Sequence, residues 1–502
     1  MSNPINRLLF LPLLLFLISA SVFQPKWLVL GSPVHERTLR RPDPLRHLKN
    51  YNGQFDVRNK HYIDSTAFTG VHGYAIALVW LLCGLALGIF LIVRCLGSGS
   101  ALLPFKDFLD PHNILIFSLI LFFTFLAIIA SSFVLSTNQK TQRRTETLKE
   151  TVVGIGGGAY NNITKVIRAM KEMQYLLLPY NQKISTNLNS TIGTLRTGSR
   201  VLRRFVARTG HYVHEATRAW YVAHVVLVTI NLVMLIAALV SLLLHWRPGF
   251  ITLIFCCWFL TSLCWVLTGL NFFLHTFADD ACSAIVDLEQ NPKDSSLTSM
   301  LPCLNESESG KLLSDVGYTV HNFIVELNSN VSVIYRFLGV DGESVDLVSI
   351  IKICDPFSQA PNYTYNPQSC SDDAIQISEL PRILAEVTCH RNEKVEKCRK
   401  EGKFLSQASY NMAHAYGRSI QNLLDIYPEL ESLSRCTFVK NGFSDILIHQ
   451  CEPIRASTKL MWSFMLTLSI VMVFLELAWL ADAFLCWGKS ISIGSRRPQS
   501  QN

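Results

Sequence analysis

HTFADDACSAIVDLEQ (275–290) opens, and CEPIRASTK (451–459) closes, the stretch between the last two strongly apolar segments of this chain. From His275 to Lys459 it carries eight cysteines: Cys282, Cys303, Cys354, Cys370, Cys389, Cys398, Cys436 and Cys451. It also carries N-x-[ST] sequons at Asn305, Asn330 and Asn362. An even set of cysteines in a polar, acidic, sequon-bearing stretch reads as a disulfide-closed domain outside the cytosol, where thiols oxidise and glycan acceptors are used. No Cys/His spacing in it suggests zinc, and spacing alone leaves the disulfide pairing open. Placing this stretch outside fixes the side that every other segment faces.

The 502 residues are 49% hydrophobic and 16% charged, with a mean hydropathy of +0.27, which is too apolar for an ordinary soluble protein. Five apolar segments account for the excess: Gly73 to Val93, Asn113 to Leu135, Tyr221 to Leu244, Phe250 to Leu274 and Leu460 to Trp487. Each is near the roughly 20 residues that a helix needs to cross a bilayer core of about 30 Å. Ahead of them, Met1 to Ala20 has one basic residue, Arg7, an apolar run from Leu8 to Leu17 and a small-residue stretch, which is signal-peptide anatomy. Trp27 to Leu30 prolong the apolar character to about residue 31, so an uncleaved anchor is the competing reading. The leader that follows (21–72) is Arg- and His-rich from Pro33 to Thr69, without cysteine or sequon, and is expected to be exposed and poorly ordered.

A cleaved signal peptide puts the mature N-terminus outside, and five crossings then leave residues 488–502 in the cytosol. Residues 94–112 and 245–249 become cytosolic connections, and 136–220 and 275–459 lie outside. All five sequons, Asn162, Asn189, Asn305, Asn330 and Asn362, fall in those two outer regions. The positive-inside rule is poorly obeyed, since the short inner connections carry only Arg94, Lys106 and Arg247. Long loops translocate largely regardless of charge, however, and Lys489, Arg496 and Arg497 do point inward.

The first outer region has the pattern of a helical hairpin. Ile163, Val166, Ile167, Met170, Tyr175 and Leu177 approximate one helix face, Pro179 with Asn181 breaks it, and Leu188, Ile192, Leu195, Leu202 and Val206 return. Gly154, Gly156, Gly157 and Gly158 are expected to loosen or bend the rising arm. The second outer region reads as mainly helical, with an irregular stretch from Pro356 to Gln368. The expected fold class is therefore an all-α multi-pass membrane protein: five transmembrane helices, a long extracellular helical hairpin and a disulfide-linked, mainly helical extracellular region. The net charge of +8 hides a division: Lys140 to Arg218 has 14 Lys/Arg against 4 Asp/Glu, and Ala278 to Arg455 has 15 against 25. Loops of opposite sign are expected to dock on each other; the competing reading of the basic loop is an anionic-lipid or nucleic-acid patch, and nucleic acid is out of place outside a cell.

Polar residues in the spans are few. Glu476 lies mid-span, where a charged carboxylate costs about 2.5 to 3.5 kcal/mol on insertion scales, so it must find a partner, protonate or face water. Asn231 is the candidate partner; the pair either holds helices together or marks an ion or substrate path. Gly84 and Gly88 form a GxxxG that admits another helix closely, which makes a homodimer one expectation. No nucleophile elbow, HExxH, Walker or kinase motif is present, so no catalytic residue, metal or cofactor is assigned.

The run Cys436-Thr437-Phe438-Val439-Lys440, with Phe443, Ile446 and Cys451-Glu452-Pro453 before the last span, resembles a plant family of uncharacterised five-span membrane proteins. The overall plan also resembles the prominin and tweety families and the fungal plasma-membrane fusion proteins. That resemblance implies a plasma-membrane or endomembrane glycoprotein with membrane lipids, sterol included, as partners. Its implied role is non-enzymatic membrane organisation or adhesion and fusion-type contact, with an ion channel or lipid transporter as the alternative. The outer loops are much shorter than those of prominins, which counts against a protrusion-shaping role.

Overall fold

The computed structural model describes residues 39–97, 111–244, 247–291, 295, 297, 306–337, 352–368, 370, 374–390, 395–400, 403, 405–435 and 437–494. The expected signal peptide, Cys303, Cys436 and Asn305, and the side chain of Asn330, lie outside them. In chain order the elements begin with β1 (Leu39–Asp43), β2 (Lys49–Gly53), α1 (Lys60–Ala67), α2 (Val71–Gly97), α3 (Pro111–Leu177), α4 (Gln182–Leu243) and α5 (Arg247–Gln290). There follow α6 (Glu306–Phe337), β3 (Lys352–Ile353), β4 (Ala374–Ile375), α7 (Leu380–Glu386), β5 (Thr388–Cys389), α8 (Val395–Lys400) and β6 (Leu405–Ser406). The chain ends with α9 (Gln407–Asp425), α10 (Tyr427–Ser434), α11 (Thr437–Ile446), a π-helical turn (Leu447–Cys451) and α12 (Glu452–Gly494). Five helices, α2 to α5 and α12, contain stretches long and apolar enough to cross a membrane. Two compact units emerge: Met1–Glu150 with His211–Met300 and Phe443–Asn502, and Thr151–Gly210 with Leu301–Gly442.

In the first unit α5 runs antiparallel to α2 and to α12, and α3 runs antiparallel to α12. Trp80 of α2 stacks on Trp258 of α5, and Thr268 of α5 hydrogen-bonds Ser469 of α12 at 3.0 Å. Phe123 and Phe133 of α3 stack on Phe474 and Phe464 of α12, and the Asn138 amide donates to the Tyr221 carbonyl of α4. The closest approach is between backbones. A Cβ added to Gly73 would stand 2.6 Å from the Gly269 Cα, and one added to Gly269 would stand 2.6 Å from the Gly70 carbonyl oxygen. Three glycines thus let the start of α2 cross α5 with no side chain between them, as small residues permit in apolar bundles.

The leader departs from expectation, because from Leu39 onward it is folded. β1 and β2 pair antiparallel, with Arg41 opposite Tyr51, so the molecule is not purely α-helical. Arg41 makes a bidentate pair with the buried Asp280 of α5 at 2.5 and 2.6 Å, and the Tyr62 hydroxyl donates to the same carboxylate at 3.1 Å. Asp43, also buried, accepts from Leu45 N at 2.9 Å and meets His61 Nδ1 at 2.7 Å. Phe55, Tyr62 and Phe277 complete the contact as an aromatic cluster, with centroids 5.2 to 6.5 Å apart. Composition alone marks 33–69 as polar; what orders it from Leu39 onward is an anion more than two hundred residues away. Asp280→Asn leaves the Arg41 guanidinium without its charge partner, at a cost of about 2 to 3 kcal/mol after allowing for its partial exposure. Tryptic cleavage between Arg40 and Lys60 should accelerate; an unchanged digestion rate would mean that the pair does not order the segment.

Near this contact Cys282 of α5 pairs with Cys451, just before α12, across a sequence separation of 169 and with Cα atoms 5.7 Å apart. Closing so long a loop removes roughly 5 kcal/mol of chain entropy from the unfolded state in the simplest treatment.

The second unit holds the hairpin formed by α3 from Thr151 onward, a turn at 178–181 and the start of α4. α3 runs through the glycine cluster without a break. A Cβ on Gly156 would meet Val206 Cγ2 at 2.5 Å, so this glycine lets α4 pack closely. Val166, Met173 and Ile192 are buried, but Tyr175 is 79% exposed. Nine residues after Val166 is half a turn away, so Tyr175 belongs to the opposite face. The remainder packs Leu313, Val320 and Ile324 of α6 against Ile353, Phe357, Ile377, Leu380 and Tyr427. Asn328 completes this core by bonding both backbone groups of Ile353, at 2.9 and 3.1 Å. Burial pushes the Tyr365 and Tyr427 phenols above their ordinary range. Cys354 pairs with Cys370 and Cys389 with Cys398, each with Cα atoms 5.5 Å apart.

The expected docking of basic on acidic sequence is mainly apolar where it occurs within this unit. Val166 and Met173 pack with Ile426, flanked by Leu423 and Leu433. Only Lys165–Glu429 at 3.0 Å and Arg418–Glu172 at 3.7 Å join the two parts by charge among the described residues, and exposed pairs of this kind are worth little.

Candidate functional site: a buried carboxylate shared by three spans

Glu476 is fully buried in the first unit. Its position on α12 brings it against α2 and α5, and each contributes a donor. Thr261 donates its hydroxyl to Oε1, and the Trp80 indole donates to Oε2 at 3.1 Å. Trp80 is held by Trp258, whose ring lies parallel to it with centroids 4.4 Å apart and whose own indole donates to the Trp80 carbonyl at 2.7 Å. The chain of contacts is therefore Trp258 to Trp80 to Glu476 to Thr261, closed through α5, which carries both ends. Among the described residues no cation stands within ion-pair distance of Glu476.

Gly84 makes this geometry possible. A Cβ there would stand 2.4 Å from the Trp258 Nε1, so only glycine lets the indole reach the carbonyl one turn earlier. Gly88 faces the Phe255 ring, its virtual Cβ 3.4 Å away. The GxxxG face is thus filled by the chain's own aromatic rings; the close approach expected of it happens within the bundle.

Asn231 is not the partner of Glu476. It is fully buried on α4 and neither of its amide atoms has a hydrogen-bond partner. The polar link from α4 to α5 is made instead by His224, whose Nε2 lies 2.9 Å from the Asn271 amide nitrogen. His224 Nδ1 lies 2.9 Å from the Trp220 carbonyl, so Nδ1–H donates there and Nε2 is left to accept from Asn271. Cys257 and Cys264 are buried thiols one turn either side of Thr261.

Thr261, Trp80, Trp258, His224 and Asn271 were not singled out by sequence. One signal was available: Trp80 and Trp258 sit deep in their spans, although tryptophan favours membrane interfaces, so an indole N–H at that depth needs an acceptor. Of the sequons, Asn189 and Asn362 are exposed and Asn162 is half-buried. Among the described residues no three His, Cys, Asp or Glu side chains converge as a metal site would require. The three-span carboxylate can hold helices in register; as arranged, its oxygens are occupied by protein donors. No protein-family model and no curated protein matches this chain.

Proposed function

We propose that the chain is a non-enzymatic plasma-membrane glycoprotein, prominin- and tweety-like in plan, that organises membrane or mediates adhesion by self-association of its outer region. In this reading the N-terminus, the hairpin and the cysteine-linked region face outside and the C-terminus is cytosolic. The observation that carries it is the apolar surface at the hairpin turn. Tyr175, Leu178, Tyr180 and Ile184 are exposed there, beside a cleft of about 510 Å³ that Tyr410 and His414 also line. Clustered exposed apolar side chains in an otherwise polar region mark contact surfaces.

The alternative, an ion channel or lipid transporter, needs Glu476 and Asn231 to face a path. It is less supported, because both oxygens of Glu476 are engaged by Thr261 and Trp80 and no link joins it to Asn231. Purified protein reconstituted in neutral vesicles tests both. The expected result is vesicle clustering, reduced at least about tenfold by the combined change Tyr175→Ser, Leu178→Ser and Tyr180→Ser. Dispersed vesicles that conduct ions, with conduction lost in Glu476→Gln, would replace this reading with the channel.

A further inference from the structure

The hairpin part of the second unit, Thr151–Gly210, carries nine Lys/Arg and one acid, Glu172. From Gln182 to Gly210 there is no acid at all. Five arginines, Arg196, Arg200, Arg203, Arg204 and Arg208, follow one another at spacings of four, three, one and four along α4. At about 100° and 1.5 Å per residue they fall within an arc of about 140° and a row about 18 Å long. Arg200, Arg203, Arg204 and Arg208 are exposed and Arg196 is half-buried. Among the described residues none of the five is ion-paired. Arg203 lies over the Tyr160 ring at 5.7 Å, and the ion pairs to the acidic part of this unit go to Lys165 and Glu172 on α3. Like charges four apart destabilise a helix, and three such pairs recur here, 196/200, 200/204 and 204/208. Val201 and Phe205, 59% and 63% exposed, border the row.

We propose that this face of α4 binds a linear acidic polysaccharide, its arginines meeting uronate carboxylates and Phe205 resting against a sugar ring. Three features favour that ligand. Steps of about 6 Å along Arg196, Arg200, Arg204 and Arg208 form a one-dimensional array, which suits a linear polyanion. The arc is too wide for a flat bilayer surface to meet all five guanidinium groups at once, whereas a flexible chain follows it. The apolar edge offers a sugar face what it offers any weakly polar ring, a surface that needs no hydrogen bond. The choice of a polysaccharide over nucleic acid rests on the outer placement of the hairpin proposed above; the anion-binding face itself does not.

The test uses the full chain in neutral-lipid nanodiscs with a polygalacturonate oligomer as probe and neutral dextran as control. Polygalacturonate should bind, dextran should not, and affinity should fall steeply with added salt. Combined Arg200→Gln, Arg204→Gln and Arg208→Gln should weaken binding at least about tenfold while leaving thermal stability equal or higher, because like-charge repulsion is relieved. Should that variant fail to fold, Arg204→Gln with Arg208→Gln carries the same expectation at about threefold. Unchanged affinity in the folded variant overturns the proposal. So does binding to phosphatidylserine vesicles or to single-stranded DNA without binding to polygalacturonate. A tag after Gln182 that stains only permeabilised cells would remove the outer placement while leaving this binding measurement intact.

Discussion

Gly269→Leu will abolish the folded bundle. The neighbours of its missing side chain are the Gly70 carbonyl oxygen at 2.6 Å and the Tyr74 ring at 2.9 Å, and the backbone cannot swing aside as a side chain end can. Extra methylenes in a packed core cost about 1 to 3 kcal/mol where neighbours can rearrange. Here α2 must lift off α5 instead, and the stacked Trp80 and Trp258 separate with it, so the loss should exceed about 3 kcal/mol. Gly269→Ala should already lower the thermal midpoint in detergent. Gly193→Ala is the control: nothing lies within 4 Å of its Cβ, so in a helix interior it should stabilise by about 0.5 to 1 kcal/mol. Equal midpoints for the two alanine variants would show that the α2–α5 crossing is not a backbone contact.

Glu476→Ala should be nearly as damaging. It leaves the Trp80 indole N–H with no acceptor at that position, and it opens a void where a fully buried side chain was. An orphaned donor costs about 1 to 3 kcal/mol and truncation of a buried side chain about 2 to 5, so a total of about 3 to 8 kcal/mol is expected. The Thr261 hydroxyl suffers less, because a helical threonine can turn to the carbonyl four residues back. Glu476→Gln keeps one acceptor oxygen but turns an N–H toward the other donor, and should lose only about 1 to 2 kcal/mol. Thermal unfolding of the three proteins in one detergent reads the ranking. An alanine variant as stable as the parent would mean that Glu476 is there for something other than holding α2, α5 and α12 together.

Much of this architecture was legible because its signals are local. Apolar length marks five membrane-compatible helices, and Pro179 with Asn181 falls at the turn between α3 and α4. What stayed hidden depends on pairs far apart in sequence. Arg41 and Asp280 order the leader, yet nothing near either residue announces the other. Glu476 reads as an intramembrane acid with Asn231 as the obvious amide partner, whereas the actual donors are an indole and a hydroxyl that look ordinary in an apolar run. Gly84 was read through a motif whose usual meaning is a second helix; its role here depends on Trp258, which no periodicity predicts. Tyr175 is apolar enough to count toward the buried face, but its angular position, half a turn from Val166, excludes it.

The bond from Trp80 to Glu476 has a bearing on biogenesis. The first span waits for the last: some four hundred residues must be synthesised and four more helices released into the lipid before the Trp80 indole meets its acceptor. Until then the surface of α2 and α5 that receives Glu476, with the Trp80 indole and the Thr261 hydroxyl on it, waits for α12. A ribosome that stops short of α12 leaves that surface open, so premature termination anywhere in the preceding reading frame should yield products that are recognised and degraded instead of partly working.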